Sequence, residues 1–148
     1  MHPTACPPHR ARGFTLIEVL IVCTVLAILA AVAVPQYTRY IQRGNLVEAT
    51  NALAEYRVRM EQFYQDNRSY RTGAGTTCGA AVPAGLQNFA ITCATANAGQ
   101  TYVATATGAG STNGFVFTID QTNARRTTGL PSSWGTVPVG GMDGWKTR

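Results

Sequence analysis

One long, almost uncharged stretch dominates the hydrophobic pattern of the chain. Phe14 to Val34 is 21 residues long and apolar except for Thr15, Thr24 and Glu18. About 20 apolar residues are enough for a helix to span a bilayer. The stretch therefore predicts a membrane-spanning helix. Its one carboxylate needs an explanation, because an ionised group inside the hydrocarbon costs about 2.5–3.5 kcal/mol on insertion scales.

The helical pattern continues beyond the apolar stretch. An apolar stripe recurs at spacings of three and four residues, as on one face of an amphipathic helix, and its members are Leu46, Ala49, Leu53, Tyr56, Met60 and Phe63. We expect one helix from about Phe14 to Gln65, with Pro35 and Gly44 as weak points. The stripe needs a cover from the rest of the chain, since a coiled-coil seam would require more heptads.

The period changes to two in the C-terminal half. Alternation predicts strands around 89–93, 101–107 and 115–119, a turn at 121–123 and a weaker fourth strand over 125–130. The last 18 residues predict an ordered loop at best, with Trp134 and Trp145 packing down on the sheet. The predicted fold is therefore α+β, a long N-terminal helix packed against a small antiparallel sheet.

The flanks of the apolar stretch predict its orientation. Residues 1–13 contain Arg10 and Arg12 and no acid, so the N-terminus should stay cytoplasmic and the residues after Val34 should be exported. The alternative is an ordinary secretory signal cleaved after the small residues 31–33. The apolar run is longer than the usual 7–15 residues of such signals, and Glu18 would have no use in a discarded segment.

The N-terminal motif points to a family. Gly13-Phe14-Thr15-Leu16-Ile17-Glu18, with Pro35 closing the apolar run, closely resembles the prepilin motif of type IV pilins and of type II secretion pseudopilins. The resemblance implies cleavage after Gly13 by a prepilin peptidase, N-methylation of Phe14 and retention of the span. The free amine of Phe14 would then lie at the membrane depth of Glu18, and we expect the two groups to pair between neighbouring copies. Pro35 corresponds to the helix-kinking proline of the family.

The resemblance also predicts the organisation of the chain. Residues 1–13 would be a cleaved leader, residues 14–35 the transmembrane and assembly helix, and residues 36–65 the amphipathic half that packs on the head. Residues 66–148 would form a connecting loop, the antiparallel sheet and a C-terminal loop. One departure is Ala27, where members of the family often have glycine.

The four cysteines predict one disulfide. Cys6 lies in the predicted leader and Cys23 in the span, which leaves Cys78 and Cys93 as the only exported pair. Export makes oxidation available, and closing a loop of about 15 residues stabilises a fold by roughly 3 kcal/mol. Metal binding is the rival interpretation, but residues 14–148 contain no histidine to complete such a site.

The composition argues against an enzyme. Without histidine after residue 13, neither a Ser-His nor a Cys-His nucleophile is possible in the processed chain. No glycine-rich phosphate loop stands between a strand and a helix. Beyond Asp66, only Asp120 and Asp143 supply carboxylates, too few for the usual calcium cage. We expect no cofactor and no metal. Because major pseudopilins commonly have a calcium loop, its absence favours a pilus subunit.

The positive charge of the chain is weak evidence for a nucleic-acid partner. Of twelve basic residues two lie in residues 1–13, which leaves ten against seven acidic residues. Arg68, Arg71, Arg125 and Arg126 are candidates for a basic patch. No regular aromatic interleaving accompanies them, so plain surface charge is favoured over DNA binding, which stays the alternative.

The predicted function is therefore assembly. We expect a structural subunit of a type IV pilus, closer to the minor pilins of the type IVa class because residues 130–135 resemble the tail of some of them. Such fibres serve adhesion, twitching motility or DNA uptake. The expected partners are other pilin subunits, the prepilin peptidase and methyltransferase, the inner-membrane assembly platform and membrane lipid. The expected location is the inner membrane before assembly and the extracellular pilus afterwards. A type II secretion pseudopilin is the first alternative and a singly anchored binding protein the second.

Overall fold

The structure is a computed structural model that describes residues 14–148. The leader predicted for residues 1–13, including Gly13, lies outside the described residues. The described chain forms two units, residues 14–38 and residues 39–148. Its first element, α1, is assigned from Leu16 to Asn67 with Pro35 inside it. By length and composition this is the one helix of the described residues that is apolar enough to cross a membrane.

The helix ends two residues later than predicted. The Asn67 side-chain amide donates to the Phe63 carbonyl at 3.0 Å. Arg68 then takes a left-handed conformation, with φ of 56°, and its backbone N–H donates to the Tyr64 carbonyl at 2.7 Å. A left-handed residue that closes the last turn is a common helix terminus. Asn67 is the last residue of the helix, and its side chain satisfies one of the carbonyls of the last turn. The predicted end at Gln65 was therefore two residues too early.

The sheet has five strands in the order of the sequence, and each pairs antiparallel with the next. The strands are β1 (Phe89–Ala96), β2 (Thr101–Gly108), β3 (Val116–Asp120), β4 (Arg125–Gly129) and β5 (Met142–Asp143). The predicted meander is confirmed. Its boundaries needed correction by one to three residues, since β1 continues to Ala96, β3 begins at Val116 and β4 ends at Gly129.

The predicted loop at the C-terminus is partly wrong, because β5 pairs with β4. Thr127, which is fully buried, explains this pairing. Its hydroxyl donates to the Gly144 carbonyl at 2.9 Å and accepts the backbone N–H of Lys146 at 2.9 Å. One threonine thus satisfies two backbone groups of the tail and holds it against the sheet.

The core lies between the helix stripe and one face of the sheet. All members of the predicted stripe from Leu46 to Met60 are buried, and Ala52 is buried with them. Phe63 is only partly buried and lies against Gly79, where a β-carbon would collide with its ring. The sheet contributes Phe89, Ile91, Tyr102, Ala104, Ala106, Phe117 and Ile119, and Phe115 joins them from the residue before β3.

Both tryptophans pack on this core, as predicted. The Trp134 ring meets Phe115 edge to face with 4.9 Å between ring centroids. The Trp145 indole N–H donates to the Thr118 carbonyl at 3.0 Å, and the Arg125 guanidinium lies 4.7 Å from the centroid of its ring. The tail is therefore ordered by contacts that are distant in sequence.

Candidate assembly surface

The unit of residues 14–38 presents a continuous apolar surface. Its large apolar side chains from Phe14 to Val34 are all exposed, from 50% for Val25 to 82% for Phe14. Exposed apolar surface of this extent is rare on soluble monomers and marks contact with a membrane or with another chain. Nothing in this unit covers it, so a partner or lipid must.

Glu18 lies in the first turn of the exposed helix and helps to start it. The backbone N–H of Glu18 donates to the Thr15 hydroxyl at 3.3 Å, which makes Thr15 the N-cap residue. Thr15-Leu16-Ile17-Glu18 has the spacing of a capping box, which would have placed the start of the helix at Leu16 instead of the predicted Phe14. A carboxylate in the first turn is also favoured by the helix dipole. The position of the Glu18 carboxylate therefore favours the start of its own helix through the dipole, besides the assembly role predicted for it.

The structure brings the two predicted assembly groups onto one side of the helix. Phe14 and Glu18 line a shallow groove with Val19, Val22 and Cys23. Phe14 comes before the helix, which begins at Leu16, and Glu18 lies in its first turn. The Glu18 carboxylate and Phe14 are thus presented together on one surface.

Pro35 falls inside α1 near the boundary of the two units. As a proline it has no N–H for the preceding turn. The Thr38 hydroxyl donates to the Pro35 carbonyl at 2.9 Å. The roles predicted for Gly13, Phe14, Glu18 and Pro35 in processing and assembly remain predictions.

The Cys78–Cys93 disulfide is present, with 5.9 Å between the two Cα atoms. It ties the loop after α1 to β1. The same loop is held by the Thr95 backbone N–H, which donates to the Thr76 carbonyl at 2.9 Å, and by an isolated bridge between Arg71 and Cys78. Cys23 is the free cysteine of the described residues and is exposed.

Buried tyrosines and a glutamate join the loop and the sheet to the helix. The Tyr56 hydroxyl donates to the Ala80 carbonyl at 3.1 Å, and burial raises the pKa of Tyr56 to about 12. Burial and a hydrogen bond to Glu61 likewise raise the pKa of Tyr70 to about 12. Both phenols therefore stay protonated at neutral pH and act as donors. Glu48 accepts the backbone N–H of Gln87 at 2.9 Å, which fixes the start of β1 against the helix.

The four candidate arginines lie towards one end of the sheet. Arg71 packs against Gly99 in the β1–β2 turn, and the Arg68 carbonyl accepts a hydrogen bond from Gln100 in that turn. Arg125 and Arg126 follow the β3–β4 turn, which is at the same end because the strands alternate in direction. As adjacent strand residues, however, they point to opposite faces.

The described residues hold no group of three or more His, Cys, Asp or Glu side chains that could bind a metal ion. Asp120 is occupied by its own turn, since its carboxylate accepts the backbone N–H groups of Thr122 and Ala124 at 2.8 and 3.0 Å. The polar side chains described above bind backbone groups of turns and of the tail, and so hold these segments in place.

The chain combines an exposed apolar helix with a head in which the same helix packs on a sheet, which defines a subunit whose apolar surface needs a membrane or a partner to cover it. Two family models match the chain. The first, described as prokaryotic N-terminal methylation motif, matches residues 8–34. The second, described as type IV minor pilin ComP, DNA uptake sequence receptor, matches residues 35–115. The chain belongs to the type IV pilin family.

Individual relatives agree with this assignment. The type IV wide pilus major component PilA4 of Thermus thermophilus is 35% identical over 128 residues, which cover 84% of this chain and 95% of that protein. A fimbrial protein of Dichelobacter nodosus is 34% identical over 103 residues, 70% of this chain and 62% of that protein. The fimbrial protein EcpC of Eikenella corrodens is 40% identical over 55 residues, 37% of this chain and 36% of its own length. The chain thus spans less than two thirds of the last two relatives. A type IV pilin structure from Shewanella oneidensis aligns at 12% identity and a TM-score of 0.42, over 57% of this chain and 89% of that one.

Proposed function

We propose that this chain is a structural subunit of a type IV pilus, held in the inner membrane by residues 14–34 until it is assembled into the filament. The observation that carries the proposal is the exposed apolar helix over residues 16–34, in a member of the pilin family, with a single carboxylate in its first turn. A contact repeated head to tail between copies generates an open fibre. The lipid-facing surface of the subunit then becomes the inner surface of the filament.

The relatives favour a pilus over a secretion system. Those described above are fimbrial or pilus components, so a pseudopilin role is the weaker alternative. The matched family model favours a minor pilin, whereas PilA4 is a major component. We therefore place the chain among the minor pilins, on the family model and on the resemblance of its tail.

Processing tests the proposal directly. Mass spectrometry of the membrane form is expected to find Phe14 as the N-terminus with one added methyl group. Gly13→Val is expected to leave the leader attached, because Gly13 is the residue before the expected cut. A mature N-terminus at Val34 would instead identify an ordinary secreted protein and would end the pilin proposal.

DNA uptake is the second candidate function. Two observations favour DNA binding over plain surface charge. The matched family model is described as a DNA uptake sequence receptor. The four candidate arginines also lie towards the same end of the sheet. Residues 116–148, which contain Arg125 and Arg126, lie outside that match. In this hypothesis the arginines contact phosphates, because contacts of that kind make DNA affinity fall steeply with salt.

The DNA hypothesis predicts a salt-dependent affinity that depends on these arginines. We expect detergent-solubilised full-length protein to shift duplex DNA in a gel, with a log–log salt slope that falls by about one unit for each phosphate contact removed. Arg68→Gln and Arg125→Gln are the test variants. Arg59→Gln is the matched control, since Arg59 is exposed but paired with Glu55. Equal salt slopes in all three variants would exclude this surface as the DNA site.

A further inference from the structure

A polar cleft lies between α1 and the C-terminal tail of the head, and we call it the tail cleft. Its volume is about 390 Å³, within the range of about 300–1,000 Å³ that small-ligand sites occupy. The helix lines it with Thr50 and Asn51, the tail with Trp145 and Thr147, and β4 with Arg125. The pilus role proposed above makes no use of this cleft.

The tail side of the cleft is held in place by hydrogen bonds to the sheet. The Gly144 backbone N–H donates to the Arg125 carbonyl at 2.7 Å, and the Trp145 indole N–H donates to the Thr118 carbonyl at 3.0 Å. Thr127 holds the backbone on both sides of Trp145 through the two hydrogen bonds described above. The tail cleft is therefore already formed in the free subunit, as small-ligand sites usually are.

Arg125 gives the tail cleft an unbalanced positive charge. It pairs with buried Ile119 of β3, so its side chain lies on the sheet face that packs against the helix. Its guanidinium lies 4.7 Å from the centroid of the Trp145 ring, and its Nε donates to the side-chain oxygen of Asn123 at 3.3 Å. Within residues 14–148 no carboxylate forms an ion pair with Arg125, and its two Nη groups have no acceptor. The group that this guanidinium lacks is an anion.

The other polar groups of the tail cleft are neutral. The described residues give neither the Asn51 amide nor the Thr147 hydroxyl a hydrogen-bond partner. The Thr50 hydroxyl donates to a carbonyl of its own helix but can still accept. Glu55, one turn beyond Asn51 on α1, is paired with Arg59. The cleft thus offers one cation beside several neutral donors and acceptors.

We propose that the tail cleft binds an acidic sugar, with Arg125 holding the carboxylate and the neutral side chains binding the hydroxyl groups. The planar guanidinium matches a carboxylate in a bidentate geometry. Amide and hydroxyl side chains both donate and accept, as sugar hydroxyls do. A nucleic-acid backbone fits this cleft less well, because several cations spread along its phosphates bind it, and one cation lines the cleft. Sugar binding goes beyond the pilus role and does not depend on it.

Binding to the full-length protein in detergent tests the proposal. Glucuronic acid and N-acetylneuraminic acid are the acidic sugars, and saturation-transfer NMR of their protons measures binding. Glucose is the matched sugar without a carboxylate, and acetate and inorganic phosphate are the competing anions without a sugar ring. We expect an acidic sugar to bind about tenfold or more tightly than glucose, acetate or phosphate, because only the acidic sugar engages both the cation and the neutral groups.

Arg125→Gln removes the cation, and Arg126→Gln is the matched control. Arg126 is the next residue of β4 and is also exposed, but it pairs with Thr118 and so points to the opposite face. We expect Arg125→Gln to weaken binding of the acidic sugar on the order of 10- to 100-fold, as the loss of charge-assisted hydrogen bonds does. Arg126→Gln is expected to bind as the unchanged protein does.

Asn51→Phe tests the cleft without touching Arg125 or Trp145. Asn51 is exposed, so the fold does not need it, and a phenylalanine at this position would fill the space beside the guanidinium. We expect this variant to lose sugar binding and to keep the thermal midpoint of the unchanged protein. Since Asn51 has no part in the DNA hypothesis, the variant also separates sugar binding from DNA binding.

Four results would overturn the proposal. Binding of neither acidic sugar would show that the cleft is not a site for this class. Phosphate that competes as strongly as the sugar binds would identify a general anion site. Equal losses in Arg125→Gln and Arg126→Gln, or full binding by Asn51→Phe, would place the sugar outside the tail cleft. The pilus role is unaffected by any of these results, because processing at Gly13 tests it separately.

Discussion

Glu18→Val is expected to insert into the membrane and lose its leader normally but to be absent from filaments. Valine adds no cost to insertion, because the other residues from 16 to 34 are apolar apart from Thr24. In the filament, however, each Phe14 amine would lose its counter-charge in a low-dielectric interior, and an unpaired buried charge is strongly destabilising. Immunoblots of sheared filaments and of membranes would measure the two pools separately.

The capping-box spacing of Glu18 with Thr15 requires a second variant, because the side chain at position 18 can also support the first turn of the helix. Glu18→Gln keeps a side chain that can complete the capping box with Thr15 but removes the charge. If the charge is what assembly needs, Glu18→Gln should be absent from filaments as completely as Glu18→Val. Filaments containing normal amounts of Glu18→Gln would show that the helix cap, and not the ion pair, is the contribution of this residue.

Cys93→Ser is expected to lower the free energy of unfolding of the head by about 2–4 kcal/mol, since it releases a loop of about 15 residues in the unfolded chain. Urea unfolding of the processed protein would show this as a lower midpoint. A thiol count on the denatured, unreduced protein should find Cys23 alone. Cys78→Ser and the double variant should match Cys93→Ser, because all three remove the same bridge. Three free thiols in the unchanged protein would refute the bridge.

The elements with a strong local pattern were predictable from the sequence. The buried stripe from Leu46 to Met60 and the alternation in β1, β2 and β3 each repeat a hydrophobic period several times. Their ends were less accurate, because capping residues such as Asn67 decide them.

Two features depended on contacts that leave no local signal. Met142 and Asp143 form β5 because buried Thr127 anchors the tail beside them, and two residues are too few to show a period. The pattern also placed Arg125 and Arg126 in one patch, although neighbouring strand residues point to opposite faces. The role of Thr15 in capping, by contrast, was readable from its spacing to Glu18.

The disulfide has a consequence for solubility. An exposed strand edge can recruit strands from other chains and start aggregation. At one edge of this sheet β5 is only two residues long. At the other edge, the bridge at Cys93 and the hydrogen bond from Thr95 to Thr76 hold the loop against the second half of β1. The bridge therefore shields this strand edge, and we expect heads that lack the bridge to associate with one another through their sheets.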